Sequence, residues 1–427
     1  MMLSWFSIVR MGLVQMALGA IVVLTTSTLN RLMVVEYALP AVLPGLLVAL
    51  HYGIQITRPS WGFMSDKGGR RTPFIIGGMA ALALGAVGAA AVLPLFESGF
   101  VLPLLLSIGA YALIGLGVGA SGTSLLALLA TATAPRRRAA AATITWLMMI
   151  AGIAVTAGVV GTLIDPYSPT RLLIIVASVG GGAVAMTALA TAGIERRLDP
   201  SPQPVQEETP FREGLAEIWA EPQARAFTLF VFLSMTAYFM QELILEPYAG
   251  LVFGLTPGES TSLAGAQNGG VFLGMVAVGI LASGLKIGSL RLWVSGGCVA
   301  SAAALLALAT LGQAGPGAPL TAAVVALGFA NGAFAVAAIA SMMKLAGEGR
   351  ERREGTRMGL WGAAQAIAAG FGGLVGAAAV DVLRTVLPDA TAFATVFTLE
   401  AVLFLAAAAM AMAVIDTRQR HSLVPGE

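Results

Sequence analysis

The chain has 427 residues, of which 57% are hydrophobic and 11% charged, against about 45–50% and about 25% in an ordinary soluble domain. That composition excludes a soluble globular enzyme, and a formal net charge of only +2 points to no nucleic-acid partner. The single cysteine, Cys298, excludes a disulfide framework and a cysteine-based metal site.

Stretches of about 20 residues almost free of charge, enough to cross the hydrocarbon of a bilayer as helices, fall near 8–29, 39–62, 73–95, 100–131, 140–164, 172–193, 225–245, 260–283, 290–312, 319–343, 358–380 and 391–415. The chain therefore reads as an all-α integral membrane protein with twelve spans. It divides into an N-terminal six-helix bundle (1–193), a cytoplasmic linker (194–224), a C-terminal six-helix bundle (225–415) and a cytoplasmic tail (416–427). The first span is too long for the apolar core of a signal peptide and is kept as a helix. With the N-terminus inside, only Arg31, Arg171 and Arg384 of the 24 Lys and Arg residues fall on the outer side. The positive-inside rule then predicts that both termini are cytoplasmic. In the linker, Pro200, Pro202, Pro204 and Pro210 stand among acidic residues, followed by a short amphipathic segment, Phe211–Trp219.

The two halves repeat. Arg138 and Arg353, Trp146 and Trp361, Gly158 and Gly373, and Gly161 and Gly376 each stand 215 positions apart, and Glu36-Tyr37-Ala38 recurs as Glu246-Pro247-Tyr248-Ala249. Parallel repeats of six helices are a sequence signature of transporter folds. Between spans 2 and 3 stands Gly62-Phe-Met-Ser-Asp66-Lys67-Gly-Gly69-Arg70-Arg71. It resembles the loop signature of the major facilitator superfamily at every defined position. Gly62 permits close helix contact, Asp66 can cap a helix or pair with Arg, Gly69 allows a tight turn, and the basic residues hold the loop inside. The resemblance implies the major facilitator fold and a loop that latches the halves rather than touching cargo.

Ionisable groups at membrane depth cost about 2.5–3.5 kcal/mol on insertion scales, so each needs a reason. Few are present: His51 in span 2, Glu242 and Glu246 at the outer end of span 7, and Glu400 in span 12. Glu400 is a possible proton site or a partner of the Thr395 and Thr398 hydroxyls. Glu246 before Pro247 reads as the end of a helix. Gln55 lies one turn after His51 on the same face, and the repeat places Asn268 opposite His51. Asn331 and Gln365 read as packing residues.

The segments Leu29-Asn30-Arg31-Leu-Met-Val-Val-Glu36 and Val48-Ala-Leu-His51-Tyr52-Gly-Ile-Gln55, with Met240-Gln241-Glu242-Leu-Ile-Leu-Glu246-Pro247-Tyr248, are similar to the PucC family of light-harvesting assembly proteins. The resemblance implies delivery of bacteriochlorophyll, or help with its insertion, during antenna assembly in the inner photosynthetic membrane of a bacterium. Chlorophyll synthase and antenna polypeptides are the partners it suggests. On that reading His51 is a candidate axial ligand of the pigment's magnesium, with Gln55 and Asn268 as secondary candidates. Asn30, Arg31, Glu36, Gln241, Glu242 and Glu246 are the polar groups carried by the family segments; the structural alternative for Arg31 and Glu36 is a pair across a loop. With no nucleophile–base pair, phosphate loop or multi-ligand metal cluster, the expectation is that the chain is not an enzyme. The alternatives are an ion-coupled solute carrier using Glu400 and a pigment-free scaffold for the synthase and antenna helices.

Overall fold

A computed structural model of the protein describes residues 2–58, 60–61, 64, 70–134, 137–195, 219–315, 317–347 and 354–415. Gly62, Asp66, Lys67 and Gly69 of the loop signature lie outside the described residues, as do residues 211–218 of the expected amphipathic segment. The described residues are helical throughout, with no strand. In chain order the long helices are α1 (Trp5–Glu36), α2 (Val42–Thr57), α3 (Thr72–Glu97), α4 (Val101–Ala132), α5 (Arg138–Leu163) and α6 (Pro169–Thr191). The second set is α7 (Pro222–Phe253), α8 (Pro257–Val278), α9 (Leu290–Ala314), α10 (Leu320–Gly347), α11 (Glu354–Arg384) and α12 (Asp389–Val414). All but α2 are long and apolar enough to cross a membrane.

Helix boundaries follow local chemistry. Proline opens α6, α7 and α8, where the first turn has no use for its missing N–H. Ser168, Thr256 and Ser289 each accept from the backbone N–H three residues on, which satisfies a donor the helix leaves open. Gly254, at φ 69°, stops α7 in the left-handed conformation that favours glycine. Small residues set how closely helices approach: a Cβ added at Gly85 of α3 would fall 2.8 Å from the Ala110 carbonyl of α4, so only glycine fits.

Two large apolar cores result, with two small clusters between the halves around Ala41 with Ala377 and around Ile150 with Val271. One is built from residues between Leu3 and Ile194, joined by Leu243. The other runs from Phe227 to Ile415 and is rich in rings, with Tyr248 against Phe393 and Phe397 and Phe334 against Phe404. The two six-helix sets meet where α5 packs on α8 and α2 on α11.

α2 is shorter than the span expected over 39–62, and two other helices differ from the sequence expectation. The first was expected to end near residue 29 but continues to Glu36 through two widened turns, Leu24–Thr28 and Leu32–Glu36. The Thr25 and Thr26 hydroxyls both bond the Val22 carbonyl, at 2.8 and 3.1 Å, and Tyr111 of α4 donates to the Thr25 carbonyl at 2.9 Å. Side chains thus add donors to carbonyls in and beside the widened turn. The second difference is at Pro247, expected to end span 7. It sits inside α7, which runs on to Phe253. Proline has no N–H for the carbonyl four residues back, which is Leu243, and Asn30 Nδ2 donates to that oxygen at 2.7 Å. The helix survives its proline because the other half supplies the missing donor.

Candidate functional site: a cavity between the halves

A cavity of about 330 Å³ lies between the two six-helix sets. It collects most of the polar residues singled out by sequence: His51, Gln55, Asn268, Glu242, Glu246 and Gln365 all line it. The remaining wall is apolar or aromatic, with Leu18, Val22, Met149, Met235 and Met275 beside Tyr52, Trp146, Tyr238 and Phe239. Tyr52 of α2 meets Phe239 of α7 edge-on at 5.8 Å, and Phe239 meets Tyr238 at 5.1 Å. A line of rings therefore crosses from one half to the other.

The polar chain on α2 has a defined hydrogen-bond sense. Arg58 donates to Gln55 Oε1, so the Gln55 amide nitrogen faces His51 Nε2, 2.9 Å away. That nitrogen can only donate, which makes His51 Nε2 the acceptor and puts the ring proton on Nδ1. Nδ1 is buried without a partner. The ring stands edge-on to Tyr52 at 4.9 Å. His51 therefore carries the tautomer whose Nε2 lone pair could bind a metal, with Gln55 holding that lone pair in this arrangement. On α8, Asn268 donates to the Ala264 carbonyl of its own helix at 3.0 Å, which leaves its side-chain oxygen as the group to offer.

Asn30, Arg31 and Glu36 of the family segments lie at the end of the bundle where α1 finishes and α7 turns into α8, here the far end. Arg31 and Glu36 do pair, at 2.5 Å, but inside α1 rather than across a loop. The widened turn brings positions five apart onto one face, where an ordinary α-helix pairs positions three or four apart. Arg31 also donates to the Leu255 carbonyl at 2.8 Å, tying α1 to the α7–α8 turn. Glu246 is buried with neither carboxyl oxygen bonded, and Gln241 is buried with its side-chain oxygen unpaired.

Glu400 does not line the cavity. It is fully buried in the C-terminal set, and both carboxyl oxygens lack a partner. The expected pairing with neighbouring hydroxyls is absent, because Thr395 and Thr398 bond the carbonyls of Thr391 and Ala394. Of the loop signature, Arg70 is exposed, while the Arg71 guanidinium bonds Thr131 and the Ala127 carbonyl of α4. Sequence reasoning missed Gln15, Trp146, Tyr238 and Phe239 as cavity residues and counted Arg58 only as a topology signal. The Tyr-Phe and Trp residues stand in apolar stretches where nothing marks them as facing another helix or a cavity.

A family model described as PUCC protein matches residues 28–419. The bacteriochlorophyll synthase 44.5 kDa chain of Rhodobacter capsulatus is 69% identical over 98% of this chain and 97% of its own length. Protein PucC of the same organism is 29% identical over 95% of this chain and 91% of its own. Among solved structures, the inward-facing, unoccupied form of a bacterial homolog of the human lysosomal transporter Spinster superposes with a TM-score of 0.70. It is 16% identical and covers 96% of each chain. The fold is thus the twelve-helix major facilitator fold. The expectation that the chain is not an enzyme is corrected by the 69% identical relative, whose name makes it one chain of a synthase.

Proposed function

Because the chain belongs to the PUCC protein family, matched over residues 28–419, we propose that it holds bacteriochlorophyll or a late precursor between its two halves. It hands that pigment on during assembly of light-harvesting complexes. On this reading it acts as a membrane chain of the pigment-synthesising machinery, as the name of its 69% identical relative suggests, with antenna polypeptides as the receiving partners. The membrane is the photosynthetic inner membrane of a bacterium, both termini are cytoplasmic, and the far end is the outer one.

The observation that carries the reading is the cavity, in which apolar and ring-bearing walls surround a few converging polar groups. A tetrapyrrole with a hydrocarbon tail asks for that combination. The Tyr52–Phe239 ring line offers edges and faces to a flat macrocycle. Magnesium accepts oxygen ligands and imidazole nitrogen, and the residues fit that demand. His51 would present Nε2 once Gln55 swings aside, and Gln55 and Asn268 would present side-chain oxygens.

Purification in mild detergent from a pigment-making host, followed by an absorption spectrum, tests the proposal. A chlorin band near one pigment per chain is expected, weakened or shifted by His51→Leu. A colourless wild-type protein, in a detergent that leaves pigment on a control antenna complex, would overturn it.

A further inference from the structure

Two carboxylates outside the cavity join the halves at the far end, and they are related by the internal repeat. Asp165 follows α5 and Asp381 lies in the last turn of α11, 216 positions later. Asp381 accepts from the backbone N–H of Ala41 at 3.0 Å and of Val42 at 2.7 Å, at the start of α2. Asp165 accepts from the backbone N–H of Gly258 at 3.1 Å and from the Thr256 hydroxyl, at the start of α8. Gly258 is the counterpart of Val42 at the same 216-residue spacing, so the second carboxylate repeats the first on the opposite half.

The one difference has a chemical reason. The counterpart of Ala41 is Pro257, which has no N–H to give. The Thr256 hydroxyl stands in for it, donating to Asp165 while accepting from the Glu259 N–H at 3.2 Å. Glu259 in turn accepts from the Thr256 N–H at 2.9 Å. Gly258 makes the approach possible: a Cβ there would fall 2.8 Å from Asp165 Cγ. In both places a carboxylate from one half meets the positive N-terminal end of a helix from the other, where charge and open N–H donors act together.

We propose that Asp165 and Asp381 are a two-fold-related pair of clasps that, beside the Arg31 bond to the Leu255 carbonyl, hold the far end of the molecule shut, and that releasing both shifts the molecule toward opening of the cavity at that end. The halves bear against each other along α5–α8 and α2–α11, and the clasps sit at the ends of those two contacts. Each clasp alone holds the pair of helices it bridges, so loss of one leaves the other as a pivot. The inference does not rest on the pigment reading and holds for any cargo.

Spin labels at Thr170 and Val386, both exposed at the far end, report the separation of the halves in a background with Cys298 replaced by Ala. The wild type is expected to give one short distance. Asp165→Asn or Asp381→Asn alone should shift a minor fraction, and the double variant should raise the ratio of open to closed molecules at least tenfold. A double variant whose distances coincide with the wild type's would overturn the proposal. A single variant as open as the double would overturn the claim of two clasps. If the double variant does not fold, Thr256→Val with Asp381→Asn keeps the test alive, because it removes the hydroxyl that donates to Asp165 while leaving that carboxylate in place.

Discussion

Asn30 and Pro247 stand 217 positions apart in sequence, yet one compensates the other. The proline takes a donor from α7, and the asparagine of α1 returns one to the Leu243 carbonyl at 2.7 Å. Asn30→Leu keeps the volume and leaves a buried carbonyl unpaired, which costs about 1–3 kcal/mol. Thermal unfolding in detergent should register that loss, and Pro247→Ala should recover most of it by restoring the helical N–H. Additive effects of the two changes would mean that the bond does not explain the helix's continuity. Both residues are legible in sequence as oddities, a buried amide and a proline after a glutamate. Their partnership is not, because it depends on which helices meet. Read from α7 alone, Pro247 is a helix end, which is where local propensity places it.

At the scale of helices, hydropathy locates every span but does not describe the hydrogen-bond ladder within it. The first was expected to end near residue 29 because Arg31 and Glu36 cost too much in lipid singly. Paired at 2.5 Å, they largely answer each other, and the helix goes on. Glycine content was likewise legible as packing surface, but not which glycines pack. A Cβ added at Gly274 of α8 would lie 3.0 Å from the Ala333 N of α10, whereas one at Gly181 of α6 meets nothing within 4 Å. Gly274→Val should therefore destabilise by about 1–3 kcal/mol or more through overpacking. Gly181→Ala should leave stability unchanged or raise it by up to about 1 kcal/mol through helix propensity. Paired denaturation curves of the two variants check this, and equal effects would contradict the packing described.

Over the whole molecule, the six-and-six repeat was readable from matched residues, while the cavity was not. Its wall takes residues from α1, α2, α4 and α5 of one half and from α7, α8, α10 and α11 of the other, and no spacing along one helix reveals what faces it from another. Asp165 and Asp381 escaped notice for a different reason. They stand at span ends, where a carboxylate is unremarked, and only superposing the halves pairs them. Each half has its own apolar core. Residues 1–195 and 219–427 produced as two separate chains should therefore copurify, and an unassociated pair would show that the covalent link holds the halves together. Recovery of the complex should fall when Asp165→Asn and Asp381→Asn are combined in the split protein.

The exchange of proline between the repeats makes the two clasps unequal in how they can drift. The donors to Asp381 are main-chain groups of Ala41 and Val42, which every residue except proline provides. Half of what Asp165 receives comes from the Thr256 side chain, which a single nucleotide change can remove. The donors of one clasp are therefore fixed by the backbone and survive most substitutions at Ala41 and Val42. Those of the other include a side chain that also caps α8, so a change at Thr256 alters both how readily the far end opens and how its helix begins.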